Sequence, residues 1–457
     1  MDSIVFVFDE PTIGLHEIEK KNLIEIIKKL IEAGNTVICV EHDESFMKEA
    51  DYIIDMGPGA GSLGGKKIYE GGYKDFLFCK NSVTAPYICN ASFPVKTEYR
   101  KINNTNKITI RNATLHNLRD VTVDIPLGIM VGVAGVSGSG KSSLISDTLV
   151  PILKYMMSKE CITSDDAIED FVPEENEDGN LLYEENELPN SKTIIEGIEN
   201  IRRCYVIDQR PIGRSQTSCP ATYTGMMDRV RKLFANTPKA KELGLKAGNF
   251  SVNSKGGCRF CKGIGYKHYH VGWGNFIDVK CEKCEGYGFV PETMSVLLDG
   301  KSICDILNMS IDEATDFFEN KDSQITKICK TLQRVGMGYM KLGQKTPTIS
   351  GGESQRIKLA KELSKGKLAT RCLYILDEPT TGLSMYDSEK LLDLLNELVD
   401  MGNTVILTEH DVNMLSNCDW LIEMGPEGGR YGGLLVAEGT PKQLRNNQNS
   451  IIGRYIK

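Results

Sequence analysis

Gly135-Val-Ser-Gly-Ser-Gly140-Lys141-Ser142 constrains the fold more tightly than any other stretch of this chain. Glycines at 135, 138 and 140 let successive backbone N–H groups converge on phosphate, and such a loop needs a strand before it and a helix after it. Both flanks can be read. Ile129 to Ala134 is an apolar strand, and helical spacing runs on through Leu144 and Ile145. Lys141 is expected to reach the β- and γ-phosphates of ATP, with Ser142 on Mg²⁺ and the helix N-terminus adding positive potential. Ser143, the next helical residue, is counted among the cofactor-binding residues.

The two ends of the chain repeat each other. Val5-Phe-Val-Phe-Asp9-Glu10-Pro-Thr12 returns 368 residues later as Leu373-Tyr-Ile-Leu-Asp377-Glu378-Pro-Thr380. The same offset carries Glu41-His42-Asp43 onto Glu409-His410-Asp411, Met56-Gly-Pro58 onto Met424-Gly-Pro426, and Glu70-Gly71 onto Glu438-Gly439. A gapless match of this length marks a duplicated domain. Each copy reads as strand, helix, strand. In the first, Ile4 to Phe8 and Thr36 to Val40 read as buried strands. Glu17 to Ala33 carries Leu23, Ile26, Ile27 and Leu30 at helical spacing, with Gly34 as a C-terminal cap. Alternating strands and helices predict a parallel α/β sheet. Such a sheet needs further strands, so residues 1–95 are expected to be the C-terminal remnant of one domain, and 96–457 a complete second domain. The remnant should expose sheet edge and apolar surface.

Further elements surround the loop in order. Gln209, after a strand from Tyr205 to Ile207, is a candidate to sense metal and attacking water. Ser350-Gly351-Gly352-Glu353-Ser354-Gln355 places two glycines at a helix start, where backbone can close on the γ-phosphate held by a facing domain. Asp377 ends a strand and can bind Mg²⁺ through water. Glu378 can orient or deprotonate the attacking water, and His410, after the strand Thr404 to Thr408, can contact the γ-phosphate.

Four of the 14 cysteines form two doublets, Cys258-x-x-Cys261 and Cys281-x-x-Cys284, each followed by x-Gly-x-Gly. Four thiolates at this spacing suit a closed, structural Zn²⁺ site, a redox dithiol being the alternative. His268 and His270 read as surface residues. Between the doublets Tyr266, Tyr269, Trp273 and Phe276 stand among Lys262, Lys267 and Lys280. That pattern fits a hairpin touching nucleic acid, or one stabilised by its own aromatics. The zinc module is placed at 250–292.

The net charge of −8 argues at first against nucleic acid. From Asp165 to Glu187, however, 11 acidic residues stand without one Lys or Arg, and outside that stretch 54 basic residues face 51 acidic ones. The run reads as a solvated insertion, with DNA mimicry as the other reading. No apolar run is long enough to cross a membrane, and the N-terminus has no signal-peptide pattern. The ten scattered cysteines suit a reducing compartment, and the expected location is the cytoplasm.

The order of phosphate loop, Gln209, signature, Asp377-Glu378 and His410 resembles the ABC-type ATPases. A four-cysteine knuckle pair inside such a domain, together with Asp208-Gln-Arg-Pro-Ile-Gly-Arg214, Pro220-Ala-Thr-Tyr-Thr-Gly225, Lys255-Gly-Gly257, Gly336-Met-Gly-Tyr339, Leu342-Gly-Gln344 and Gly425-Pro-Glu-Gly-Gly429, closely resembles the UvrA family over nearly the whole chain. The resemblance implies two ABC domains per family chain, dimerisation, binding of damaged duplex DNA, ATP turnover, and loading of the helicase-like partner UvrB in nucleotide excision repair. It places this sequence on the C-terminal half. The first phosphate loop, first signature, first zinc site and UvrB-binding region have no counterpart, so Asp9, Glu10 and His42 match a domain whose loop is not here. The family's second Arg and Asn after Gly-Arg are also missing from Arg214 to Cys219. Two alternatives stay open: a related ABC protein of drug resistance or export, and a non-functional product of a truncated or split gene.

Overall fold

In a computed structural model the described residues are 4–59, 64–89, 93–157, 161–162, 192–213, 215, 217–270, 276–365 and 370–457. The acidic stretch 165–187, Arg214 and Trp273 lie outside them. The chain divides into two compact units, residues 1–208 with 367–457, and residues 209–366.

The first unit is built on a seven-stranded sheet. In chain order its strands are β7 (Met130–Ala134), β8 (Cys161–Ile162), β10 (Arg203–Ile207), β13 (Cys372–Asp377), β14 (Thr404–Thr408), β15 (Trp420–Gly425) and β16 (Leu434–Gly439). Their spatial order is β16-β15-β7-β14-β13-β10-β8, parallel except for the antiparallel edge pair β15–β16. Val131, Val133, Leu373, Ile375, Ile406 and Ile422 are buried here, as strands covered on both faces require. A three-stranded antiparallel sheet of β5 (Lys107–Ala113), β6 (Val121–Pro126) and β9 (Ile194–Glu196) adds Ile108, Ile110, Val123 and Ile125 to the same core.

The remaining strands are those of the first repeat copy: β1 (Val5–Asp9), β2 (Thr36–Val40), β3 (Ile53–Gly57) and β4 (Lys66–Gly71). They follow their counterparts closely. β1–β2 is parallel like β13–β14, and β3–β4 is antiparallel like β15–β16, with a register shift at the equivalent place. The helix between β1 and β2, Glu17–Glu32, is capped at its start by His16 and Glu19. One strand differs. In the second copy β7 lies between β14 and β15, bonded to both. Among the described residues, no strand joins β2 to β3. The expectation that β1 and β2 are buried is therefore corrected. Val5 and Val7 are 61% and 67% exposed, whereas Leu373 and Ile375 are 0% and 3%. The apolar pattern is that of a two-sided core strand, but among the described residues nothing covers one of its faces.

Residues 93–100 tie the first copy to the second through a buried carboxylate. Asp419, 0% exposed, takes Lys96 Nζ at 2.5 Å, Arg100 Nη1 at 2.8 Å, and the backbone N–H groups of Arg100 and Met130 at 3.0 Å. Burial alone would raise its pKa, but these donors and cations hold it below the ordinary carboxylate range. Asp419→Ala leaves two cations facing a dry gap and should destabilise the unit by about 3–5 kcal/mol. Chemical denaturation checks this, and an unchanged midpoint would contradict it. Because the folded pKa is depressed, this stabilisation is present at neutral pH. It is lost as pH falls through the acid range where Asp419 protonates.

The second unit is mainly helical around a four-cysteine knuckle. Its core is formed by Phe234, Phe250, Phe289, Phe318, Ile325 and Leu332, all nearly fully buried. The hairpin β11 (Tyr266–His270) and β12 (Phe276–Lys280) pairs Tyr266 with Lys280 and Tyr269 with Ile277.

Candidate nucleotide and metal sites

β7 leads directly into the phosphate loop. Gly135 sits at a φ of 143°, and a Cβ there would fall 2.1 Å from the Met424 carbonyl oxygen, so only glycine fits. Gly140, at φ 105°, is the N-cap of the helix Lys141–Leu144, which continues as a π-turn over Ile145–Leu149. Asn117 Nδ2 holds the Gly138 carbonyl at 2.9 Å, and Asn117 Oδ1 lies 3.4 Å from Ser143 Oγ. Lys141 is folded into its own loop, donating to the carbonyls of Gly135 at 2.9 Å and Val136 at 3.1 Å. Burial lowers its pKa to about 8, against the pull of Glu378, Glu19, Asp377 and Glu409. Ser142 is exposed.

Parallel pairing carries the other candidates to the same sheet end. Asp377 closes β13 and accepts a short hydrogen bond from Thr408 Oγ on β14. Burial raises its pKa. Glu378 has a φ of 45°, unusual for a side-chain-bearing residue and worth roughly 1–3 kcal/mol of local strain. Its Oε1 lies 3.4 Å from His410 Nε2. The His410 hydrogen bond, with Lys141 nearby, holds the Glu378 pKa below the ordinary glutamate value. Glu378 is therefore ionised at neutral pH and able to accept a proton.

The first copy faces this site. Ser137 Oγ in the phosphate loop donates to the Gly14 carbonyl at 2.8 Å and lies 3.0 Å from Glu19 Oε2, which also accepts from the His16 N–H. The two copies approach reciprocally. A Cβ on Gly14 would meet Glu378 at 3.8 Å, and one on Gly382 would meet Glu10 at 3.6 Å. Between them lies a cavity of about 310 Å³, with Glu10 and His42 on one side and Glu378 and His410 on the other. His42 Nε2 is 3.5 Å from Glu10 Oε1, a pair of the same kind, but its side chain is 45% exposed against 9% for His410.

Gln209 and the signature lie in the second unit. Ser350 caps the helix Gly351–Ser364: its Oγ accepts from the Glu353 N–H at 3.3 Å, and Glu353 Oε2 accepts from the Ser350 N–H at 2.8 Å. Tyr339 O–H holds the other oxygen of Glu353. A Cβ on Gly351 would stand 3.2 Å from Gln209, so the loop glutamine packs on the signature's first turn.

The four cysteines Cys258, Cys261, Cys281 and Cys284 converge, all buried, with sulfurs within 4.8 Å of one another. Cys258 and Cys281 are 3.9 Å apart, and Cys261 and Cys284 3.6 Å. A tetrahedral ion with bonds near 2.3 Å needs sulfurs about 3.8 Å apart. The two knuckles share one turn. Lys262 and Glu285 both have φ 51°, and the second glycine of each knuckle, Gly265 and Gly288, donates its N–H to Cys261 Sγ at 3.2 Å and Cys284 Sγ at 3.3 Å. Those N–H···S bonds favour thiolate, which a cation-binding cluster requires.

Sequence reading passed over two neighbours of the nucleotide site. His16, 1% exposed, lies in the fields of His410 and Lys141, and burial lowers its pKa to about 4. Its position in the repeat, opposite Ser384, was the available signal. The second is Glu409, buried between Thr408 and His410, whose repeat partner is Glu41.

Residues 280–381 match the family described as ABC transporter. UvrABC system protein A of Aquifex aeolicus is 44% identical over 459 residues, covering 100% of this chain and 46% of that protein. The Thermus thermophilus protein of the same name is 44% identical over 97% of this chain and 44% of its own length. Among solved structures, UvrA2 from Deinococcus radiodurans aligns with a TM-score of 0.87 at 37% identity, covering 99% of this chain and 51% of that one. The chain spans about half the length of the curated relatives it matches. Among the described residues, no helix is long and apolar enough to cross a membrane.

Proposed function

We propose, on the premise that the chain belongs to the UvrA family, that it is a DNA-binding ABC-type ATPase half acting in nucleotide excision repair. The observation that carries this reading is the gathering of Lys141, Asp377, Glu378 and His410 at one end of adjacent parallel strands β7, β13 and β14. ATP sits with its phosphates on the loop, held by Gly135, Gly138, Gly140 and Lys141. Ser142 and Asp377 hold Mg²⁺. The attacking water gives a proton to Glu378 as its oxygen bonds to the γ-phosphorus. The bond from phosphorus to the ADP oxygen breaks, and ADP and phosphate leave. The cysteine cluster holds Zn²⁺ as a structural ion.

An ABC site closes on a signature from a facing domain. A second copy of this chain could present Ser350–Gly352, or a complementary polypeptide could do so. Among the described residues no strand stands between β2 and β3 at the place that β7 takes in the second copy. A UvrB-like partner follows from the family alone.

DNA contact is assigned to the exposed hairpin, where Tyr266, Tyr269, Ile277 and Val279 stand beside Lys267 and Lys280. The test is fluorescence anisotropy with duplex DNA, intact and carrying a bulky adduct, with and without ATP and Mg²⁺. Binding should be tighter to damaged duplex and fall with salt. Tyr269→Ala should cost about 1–3 kcal/mol. A zinc-loaded chain that binds neither duplex would overturn the DNA reading.

A further inference from the structure

We propose that Glu409 is a positioning residue that sets the geometry of Glu378 and His410; this rests on the ATPase reading above. Glu409 is 2% exposed, and both of its oxygens are fully used. Oε1 accepts from the Thr380 N–H at 3.0 Å and from Thr380 Oγ at 2.6 Å. Oε2 accepts from the backbone N–H groups of His410 at 2.8 Å and Asp411 at 3.1 Å. Its own N–H donates to the Val133 carbonyl at 3.1 Å, two residues before the phosphate loop.

The side chain thus ties the Glu378–Thr380 segment to the His410 segment, and the Glu409 backbone N–H ties both to the strand that enters the phosphate loop. The Glu378 segment is pinned at both ends, by its own N–H on the Thr408 carbonyl at 3.0 Å and by Thr380 on Glu409. That double pin accounts for the φ of 45° that turns the Glu378 carboxylate toward His410. Glu41 makes the corresponding bonds to Thr12, His42 and Asp43 in the first copy, so the clip belongs to the duplicated segment and is not a local accident.

All four partners of Glu409 are donors. Only a carboxylate presents acceptors on both sides, whereas the amide of glutamine must turn its own N–H₂ toward one pair of donors. Glu409→Gln therefore keeps shape but leaves at least one backbone N–H without its acceptor, because the Thr380 hydroxyl can turn to accept from the amide whereas the backbone N–H groups cannot. Thr380→Ser keeps all four donors, and Thr380→Val removes one.

The experiment is steady-state ATP turnover by the zinc-loaded chain with ATP binding measured alongside. Glu409→Gln should lower kcat by about 10- to 100-fold while KM for ATP stays near wild type and the thermal midpoint falls by only a few degrees. Thr380→Ser should retain wild-type kcat, and Thr380→Val should fall between. Equal losses in Thr380→Ser and Thr380→Val, or a KM change without a kcat change, would overturn the assignment. Wild-type turnover with Glu409→Gln equal to it would overturn this assignment alone. A wild-type chain that neither binds nor turns over ATP would remove both it and the ATPase reading.

Discussion

Replacing Glu378 with Gln should lower ATP turnover by roughly 10²- to 10⁴-fold and leave intact ATP on the protein. Glutamine keeps the size of the side chain and can still meet His410 Nε2, but it cannot take a proton from water. The lowered pKa of Glu378 means the wild-type group is ready to act as a base across the neutral range. Rapid desalting followed by nucleotide analysis separates the cases: the variant should elute with ATP, the wild type with ADP. Unchanged turnover in the variant would refute the role of Glu378. The companion variant Lys141→Ala should fail at the earlier step, weakening ATP binding by about 10- to 100-fold. The free protein holds Lys141 at a pKa of about 8. Phosphates favour its charged form, so above pH 8 binding must take up a proton, and apparent affinity should fall as pH rises.

Removing the metal should have the larger structural effect. Each knuckle is a short turn whose second glycine spends its N–H on sulfur, and the described residues from Cys258 to Cys284 have few buried apolar side chains besides the cysteines themselves. Structural zinc contributes on the order of 10–16 kcal/mol to such modules, far beyond what the knuckle's own packing supplies. The double variant Cys281→Ser, Cys284→Ser should fall from one zinc per chain to none by elemental analysis. Amide exchange over residues 256–290 should rise to unfolded rates. Full protection of that segment without metal would show that the cluster is not a structural site.

The fold was legible where local chemistry has one solution. A glycine-rich loop after Ile129–Ala134 can only join a strand to a helix, and the repeat offset fixed which strands of the two copies correspond. The cysteine spacing likewise led to a buried cluster. The exposure of β1 and β2 was not legible strand by strand, because Val5 and Val7 carry the apolar pattern of strands covered on both faces. What covers them is a matter of tertiary partners. The role of Glu409 was hidden for a related reason. Its four bonds run to the backbone of neighbours and to Thr380, which stands 29 residues away, so no side-chain motif announces it. His16 was missed because its importance comes from the facing copy, with Lys141 and His410 supplied by residues more than a hundred positions distant.

Everything proposed for the nucleotide site depends on the phosphate loop from Gly135 to Ser142 binding ATP. Isothermal titration of the zinc-loaded chain with ATP and Mg²⁺ tests it most directly. One ATP per chain is expected, retained in Glu378→Gln and lost or strongly weakened in Lys141→Ala. A folded chain that takes up no ATP, or a Lys141→Ala variant that binds as wild type does, would contradict it.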